Sequence, residues 1–128
     1  MEVSVTQKTV AEKGHVKPGT ALTVVNPIQG IVESLGLPPV DLVDLPDAQL
    51  VFLFVRSRTE LETQMPSVVA SMPPGATLWV FFRKGSKASG LDMNRNDVWA
   101  IAEANGLRPL GLVSVDQSWS AFRLRAPA

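Results

Sequence analysis

The run Leu50–Val55 consists of six consecutive apolar residues, and it limits the possible folds more than any other segment of the chain. A strand that faces water on one side alternates apolar and polar residues, whereas a parallel strand covered on both sides is apolar throughout. Thr20–Asn26 and Ala76–Phe82 are also rich in apolar residues. These three segments predict strands inside a parallel sheet that has helices on both faces.

Helices are predicted between these strands. Ser57, with Glu60 three residues later, is the capping box that begins a helix. The apolar residues after it follow the spacing of a single helical stripe: Leu61, Met65, Val68, Val69 and Met72. Pro66 lies within this stripe, so a kink or a restart of the helix is expected there. Two further helices are predicted, over Gln29–Leu35 and from about Asn94 onwards.

The end of the chain alternates over Leu110–Val115 and Trp119–Arg125, with the turn residues Asp116–Ser118 between them. This pattern predicts an antiparallel β-hairpin. A short strand is also expected over Val40–Val43. With residues 1–19 as a polar lead-in, we predict a single α/β domain over residues 1–128. Its sheet is expected to be Rossmann-like and mostly parallel, and to end in the hairpin.

Composition excludes several classes of site. The chain has no cysteine, which removes disulfides, thiol nucleophiles and thiolate metal ligands. Its net charge is zero, with eight acidic and five basic residues in the first half and four and seven in the second. Nucleic-acid binders usually carry a clustered basic face, and a membrane span needs about 20 apolar residues. We expect a soluble cytoplasmic protein without a nucleic-acid or membrane partner.

The segment after the first predicted strand reads Asn26-Pro27-Ile28-Gln29-Gly30. A dinucleotide or S-adenosylmethionine site needs Gly-x-Gly spacing here, because backbone amides approach the ligand at a helix N-terminus. Only Gly30 is present, and Pro27 has no amide hydrogen. This sequence predicts that no cofactor is bound.

Five segments resemble those of a family of short bacterial proteins, described as a domain of unknown function and related to truncated methyltransferases. The segments are Lys17–Gly19, Leu53–Ser57, Leu91–Trp99, Gly106–Pro109 and Val115–Arg123. In addition, Met72–Val80 is similar to the leucine–lysine–proline–glycine–glycine turn before the fifth strand of class I methyltransferases. The resemblance implies the methyltransferase fold over nearly the whole chain. It also implies, as an alternative to the cofactor-free interpretation, a divergent S-adenosylmethionine-dependent methyltransferase.

A ligand in such a fold occupies the cleft beyond the carboxyl ends of the strands. The residues expected there are Asn26, Gln29, Gly30 and Arg56. The loop Arg83–Asp92 supplies a candidate anion site, since it has the Gly-x4-Gly spacing of a phosphate loop without its lysine. Its predicted ligands are Arg83, Lys84, Ser86, Lys87 and Arg95.

Other polar residues have simpler interpretations. His15, the single histidine, is expected in a solvated loop. Asp41, Asp44 and Asp47 recur at every third residue and could hold a cation or a ribose hydroxyl, although a turn with solvated acids explains them as well. Arg95 is expected to pair with Asp92 or Asp116 as a structural clamp. The three tryptophans, Trp79, Trp99 and Trp119, are expected in the core or at an interface.

These observations lead to a functional expectation. We expect a non-enzymatic binding or regulatory module with a degenerate methyltransferase-like fold, without catalytic residues or a metal site. Its partner would be a small anionic ligand or another protein. The alternatives are the divergent methyltransferase and a structural homo-oligomer or protein-interaction module. A homodimer is expected because few helices are available to cover a largely apolar sheet.

Overall fold

A six-stranded mixed sheet forms the centre of the molecule, in a computed structural model that describes residues 16–28, 30–84 and 94–126. The strand order is β2-β1-β3-β4-β6-β5. The first four strands in this order are parallel, and β6 runs antiparallel to both β4 and β5. The strands are β1 (Ala21–Val25), β2 (Asp41–Leu42), β3 (Leu50–Phe54), β4 (Thr77–Arg83), β5 (Arg108–Ser114) and β6 (Trp119–Arg125). The predicted fold class is confirmed.

Every residue of β3 is buried, as its sequence predicts. Val51 and Leu53 pack into the core on one face of the sheet, beneath α2 (Arg58–Ser71) and α3 (Arg95–Ala104). Phe52 and Phe54 pack into a second core on the opposite face, next to α1 (Ile31–Ser34). Rings stack closely in this second core: those of Phe54 and Phe81 lie 4.3 Å apart, and Trp79 lies 5.0 Å from Phe52.

The helix α2 packs one side against the sheet, where Leu61, Met65 and Val68 are buried. It begins at the predicted cap, where the Ser57 hydroxyl accepts the amide hydrogen of Glu60 (3.1 Å). Pro66 is exposed, and the helix continues past it to Ser71 without interruption. Of the predicted kink or restart at Pro66, the restart is therefore wrong. Proline removes one hydrogen bond on the exposed side, while the buried stripe on the other side holds both halves against the sheet.

The connection from β2 to β3 consists of residues 43–49, including a 3₁₀ turn at Leu45–Asp47. Parallel strands usually need a dozen or more residues between them. A shorter connection is possible here because β2 has only two residues, against the four of the predicted strand Val40–Val43. Val43 and Leu45 pack beside the α2–α3 core as the chain crosses β1.

The two crossovers near β1 lie on opposite faces of the sheet. The β1–β2 connection carries α1 on one face, and residues 43–49 cross on the other. Right-handed crossovers that proceed in opposite directions require this arrangement. The strand order consequently reverses between β1 and β3, which is where open α/β sheets bind ligands.

Other boundaries differ from the prediction by a few residues. The first helix begins at Ile31 rather than Gln29, and Gln29 lies outside the described residues. The strand β5 begins at Arg108, two residues early, with an irregular register between Pro109 and Gly111. This shift in register interrupts the alternation of apolar and polar side chains along β5. The alternating pattern in the sequence therefore starts only after the first residues of the strand.

The predicted clamp between Arg95 and an aspartate is not formed within the described residues. Asp116 instead accepts the amide hydrogens of Ser118 (2.7 Å) and Trp119 (2.8 Å), and so closes the β5–β6 turn. The inter-element ion pair joins Arg58 to Asp97, with 3.3 Å between Nη1 and Oδ1. Asp97 also accepts the amide hydrogen of Asn94 (2.9 Å) at the start of α3. Asp92 lies outside the described residues.

Two strand leucines test how much stability the double-sided burial of β3 supplies. We expect Leu53→Ala, at a fully buried site, to lower the free energy of unfolding by about 2–5 kcal/mol. Leu42→Ala is the matched control, since Leu42 is 76% exposed at the edge of the sheet, and should change it by less than about 0.5 kcal/mol. Urea unfolding monitored by tryptophan fluorescence measures both. Equal losses would contradict the two-faced core.

Candidate functional site at the carboxyl edge of the sheet

The carboxyl ends of β1 and β3 meet at the reversal of strand order. Val25 pairs with Leu53 there, so Asn26 and Arg56 follow neighbouring strands at the same edge. Arg56 is exposed, and its amide hydrogen is donated to Oε1 of Glu60 (2.8 Å). The exposed side chain of Arg56 thus follows β3 at the edge of the sheet where the turn after β1 begins.

Two of the described residues in the turn between β1 and α1 have left-handed backbone. Asn26 has φ 54° and Gly30 has φ 87°. Asparagine is among the few residues other than glycine that adopt this conformation routinely. A Cβ built on Gly30 would have no heavy atom within 4 Å, so the space beside the turn is open. Asn26 therefore provides one of the backbone conformations that a glycine-rich loop provides, and counting glycines in the sequence missed it.

The amides of this turn are less favourable for a ligand. The Gly30 amide hydrogen is donated to Oε1 of Glu33 (3.1 Å) at the start of α1. Pro27 has no amide hydrogen at all. Two of the donors that would face a ligand in a glycine-rich loop are thus absent or already used, and the absence of the Pro27 donor was predictable from the sequence.

Asp44 extends the site along β2. Hydrogen bonding continues one residue past this strand, because the Thr23 hydroxyl donates to the carbonyl of Val43 (2.6 Å). The next residue, Asp44, is extended (φ −73°, ψ 153°) and exposed at the carboxyl edge. Asp41 lies at the start of β2, and Asp47 lies in the 3₁₀ turn. Of the three regularly spaced acids, Asp44 alone occupies the end of the second strand.

An apolar pocket of about 580 Å³ opens beside this edge, between α1 and the face of β1 and β2. Its walls include Leu22, Val24, Ile28, Val32 and Leu42, and Glu33 is the acidic residue of its described lining. Alternation along the β2 backbone places Asp44 on the same side of the sheet as Leu42. The pocket thus has apolar walls with one carboxylate, that of Glu33, in its described lining, and sequence reasoning did not identify it.

The predicted anion ligands are only partly brought together. Lys84 and Arg95 line one pocket of about 310 Å³ beside the start of α3. Lys84 donates from Nζ to the Ser114 hydroxyl (2.6 Å). Arg83 points to the opposite face, because it alternates with Phe82 and Lys84 along β4. Three predicted site residues, Gln29, Ser86 and Lys87, lie outside the described residues, as does His15.

Two further searches apply to the described ranges alone. No group of three or more His, Cys, Asp or Glu side chains there is arranged to hold a metal ion. None of the helices in these ranges has the length and apolar character that crossing a membrane requires.

Comparison with solved structures identifies the fold. A SAM-dependent methyltransferase from Aquifex aeolicus superimposes with a TM-score of 0.60 at 16% identity, covering 91% of this chain and 87% of that one. For magnesium protoporphyrin IX methyltransferase (ChlM) from Synechocystis PCC 6803 with bound SAM, the TM-score is 0.55 at 12% identity, with 91% and 74% covered. The [4+2]-cyclase SpnF gives 0.58 at 13% identity, with 93% and 78% covered.

No family model matches the chain, and no curated protein matches it. The resemblance to a family of short bacterial proteins therefore stays a prediction. Identities of this size establish the fold alone, and a fold does not fix a reaction. The chain has the Rossmann-like fold found in S-adenosylmethionine-dependent methyltransferases.

The left-handed turn can be tested by substitution at Asn26. Asn26→Ala should lower the free energy of unfolding by about 1 kcal/mol, because alanine does not favour positive φ. Asn26→Gly should leave it within about 0.5 kcal/mol of the parent, since glycine accepts this conformation at some cost in chain entropy. Asn96→Ala, on an exposed helical site, is the control and should be neutral. Equal losses for both Asn26 variants in urea unfolding would contradict the assigned conformation.

Proposed function

We propose that this chain binds S-adenosylmethionine at the carboxyl edge of its sheet, as a divergent methyltransferase. The observation that carries the proposal is the open, left-handed turn after β1 together with Asp44 at the end of the adjacent strand. In Rossmann-like folds, the backbone of the loop after the first strand contacts the ligand, and an acidic residue at the end of the second strand binds the ribose hydroxyls. The fold shared with proteins whose structures contain SAM or SAH supports it.

The chemistry of the available groups fits an adenosyl ligand. Asp44 is an exposed carboxylate that can accept hydrogen bonds from ribose hydroxyls. The apolar pocket beside the turn offers walls suited to an adenine ring, and its volume lies within the usual range for small-molecule sites. Arg56, at the end of β3, supplies a positive charge for a carboxylate group. Bound S-adenosylmethionine would supply an electrophilic methyl group.

The residues of this turn have different roles. Asn26 and Gly30 set the path of the backbone, leaving space beside Gly30. Glu33 accepts the Gly30 amide hydrogen, so this amide already has a partner and fewer amides remain to contact a ligand. Binding would therefore depend on Asp44 and the pocket walls more than on the loop.

A second candidate is a non-enzymatic module that keeps the binding edge but transfers no methyl group. The observation in its favour is the missing donor at Pro27 and the internal use of the Gly30 amide. A small anionic ligand, or a protein partner, would then replace the cofactor. The fold alone does not require methyl transfer, since the [4+2]-cyclase SpnF also has it.

Calorimetric titration with S-adenosylmethionine and S-adenosylhomocysteine tests the binding proposal. We expect saturable binding, and at 100 times the dissociation constant a stabilisation of about 2.7 kcal/mol in thermal unfolding. Asp44→Ala should weaken binding about tenfold or more, because it removes hydrogen bonds to a charged acceptor. Asp47→Ala is the matched control, as Asp47 is exposed three residues later in the 3₁₀ turn, and it should bind like the parent.

Two results would contradict this proposal: no binding of either compound at millimolar concentration, or equal weakening by the two aspartate variants. Enzymatic and non-enzymatic candidates separate in a second measurement. Incubation with S-adenosylmethionine and a protein-free cell extract should release S-adenosylhomocysteine if the chain transfers methyl groups, and Asp44→Ala should reduce that release. Binding without release favours the module.

A further inference from the structure

A basic pocket of about 280 Å³ lies at the opposite edge of the sheet, where β1, β3 and β4 begin. Its polar lining consists of Lys17, Arg123, Arg125, Thr20, Thr77 and Gln49. Among the described residues, no acidic side chain lines it. Three cations, two hydroxyls and an amide thus surround a small space, and nothing in the carboxyl-edge site uses them.

Arg123 is the least exposed of the three cations. Its Nε is buried and has no hydrogen-bond partner among the described residues. Leaving a buried charged donor without an acceptor is unfavourable, and buried polar groups in folded proteins are nearly always paired. A ligand oxygen in the basic pocket would supply the missing acceptor.

The backbone of Arg123 is paired with a neighbouring strand on each side. The residue lies opposite Trp79 on β4 and opposite Gly111 on β5. A Cβ built on Gly111 would lie only 3.3 Å from Nη2 of Arg123. Gly111 also has φ 149°, which side chains rarely adopt. Because glycine has no side chain at this position, the guanidinium group of Arg123 can lie against β5 beside the basic pocket.

Arg125 is placed at an electrostatic cost. It lies directly opposite Arg108 in the β5–β6 hairpin. Like charges directly opposite each other destabilise a strand pair. On its other side, Arg125 lies opposite Thr77, whose side chain also lines the basic pocket. An anion in this pocket would offset the repulsion and bring the hydroxyl and guanidinium donors to one ligand.

We propose that the basic pocket binds the phosphate or diphosphate group of a small molecule. Guanidinium groups donate pairs of hydrogen bonds that match the spacing of phosphate oxygens, and Lys17 adds a compact positive charge. The recessed volume of about 280 Å³ suits a small anion rather than a polymer. This site is separate from the proposed S-adenosylmethionine site, since the two lie at opposite ends of the parallel strands.

Titration of the whole chain with pyrophosphate and with inorganic phosphate, at low ionic strength, tests the proposal. Sodium chloride of equal ionic strength serves as the reference. We expect saturable binding that weakens as salt is added, because the site is partly exposed. Arg123→Gln and Lys17→Gln should each weaken pyrophosphate binding, the former about tenfold. Lys17 is exposed, so its variant keeps the test meaningful if the Arg123 variant is unstable.

Arg58→Gln is the matched control, because it removes the same charge from the start of α2, outside the described lining of the basic pocket. It should bind pyrophosphate like the parent. Arg95→Gln tests the other candidate anion site, the pocket that Arg95 shares with Lys84 at the carboxyl edge. A loss of binding in Arg95→Gln with none in Arg123→Gln would overturn the proposal and move the anion to the carboxyl edge. No binding to the parent chain would also overturn it. Binding of S-adenosylmethionine should be unchanged in Lys17→Gln, so the two proposals fail independently.

Discussion

The burial of β3 on both faces is the constraint from which the rest of the architecture follows. Since Leu50–Phe54 is covered on each side, the chain must place packing elements above and below the sheet. The helices α2 and α3 cover one face, and α1 lies against the other. The crossovers around β1 then lie on opposite faces, and the strand order reverses next to β3. The position of the candidate site is therefore a consequence of one apolar strand.

Local sequence signals predicted those parts of the fold whose causes are local. The cap at Ser57, the buried stripe of α2 and the apolar runs of β3 and β4 all appear in the structure as expected. The length of β2 was not predictable, because it depends on how far the chain stays beside β1 before crossing it. Likewise, spacing along the chain could not show that Arg58 and Asp97 would form an ion pair between α2 and α3, while Arg95 would not pair with Asp116.

The candidate site shows the same division. The missing donor at Pro27 follows directly from the sequence. That Asn26 adopts a left-handed conformation is a property of the folded turn, and so is the use of the Gly30 amide by Glu33. Sequence reasoning treated the lost glycines as a lost binding loop. The structure separates two properties of such a loop, since the backbone conformation is partly retained while amide donors are reduced.

The antiparallel hairpin explains why charged groups also gather at the other edge. Because β6 runs against β4, its last residues lie where the parallel strands begin. Arg123 and Arg125 are thereby placed at the amino edge, and the return of β5 brings Arg108 to the same end. A net charge of zero conceals this clustering, as it averages over the whole chain. In this fold the hairpin does more than complete the sheet, since it builds a positively charged edge opposite the one where the parallel strands end.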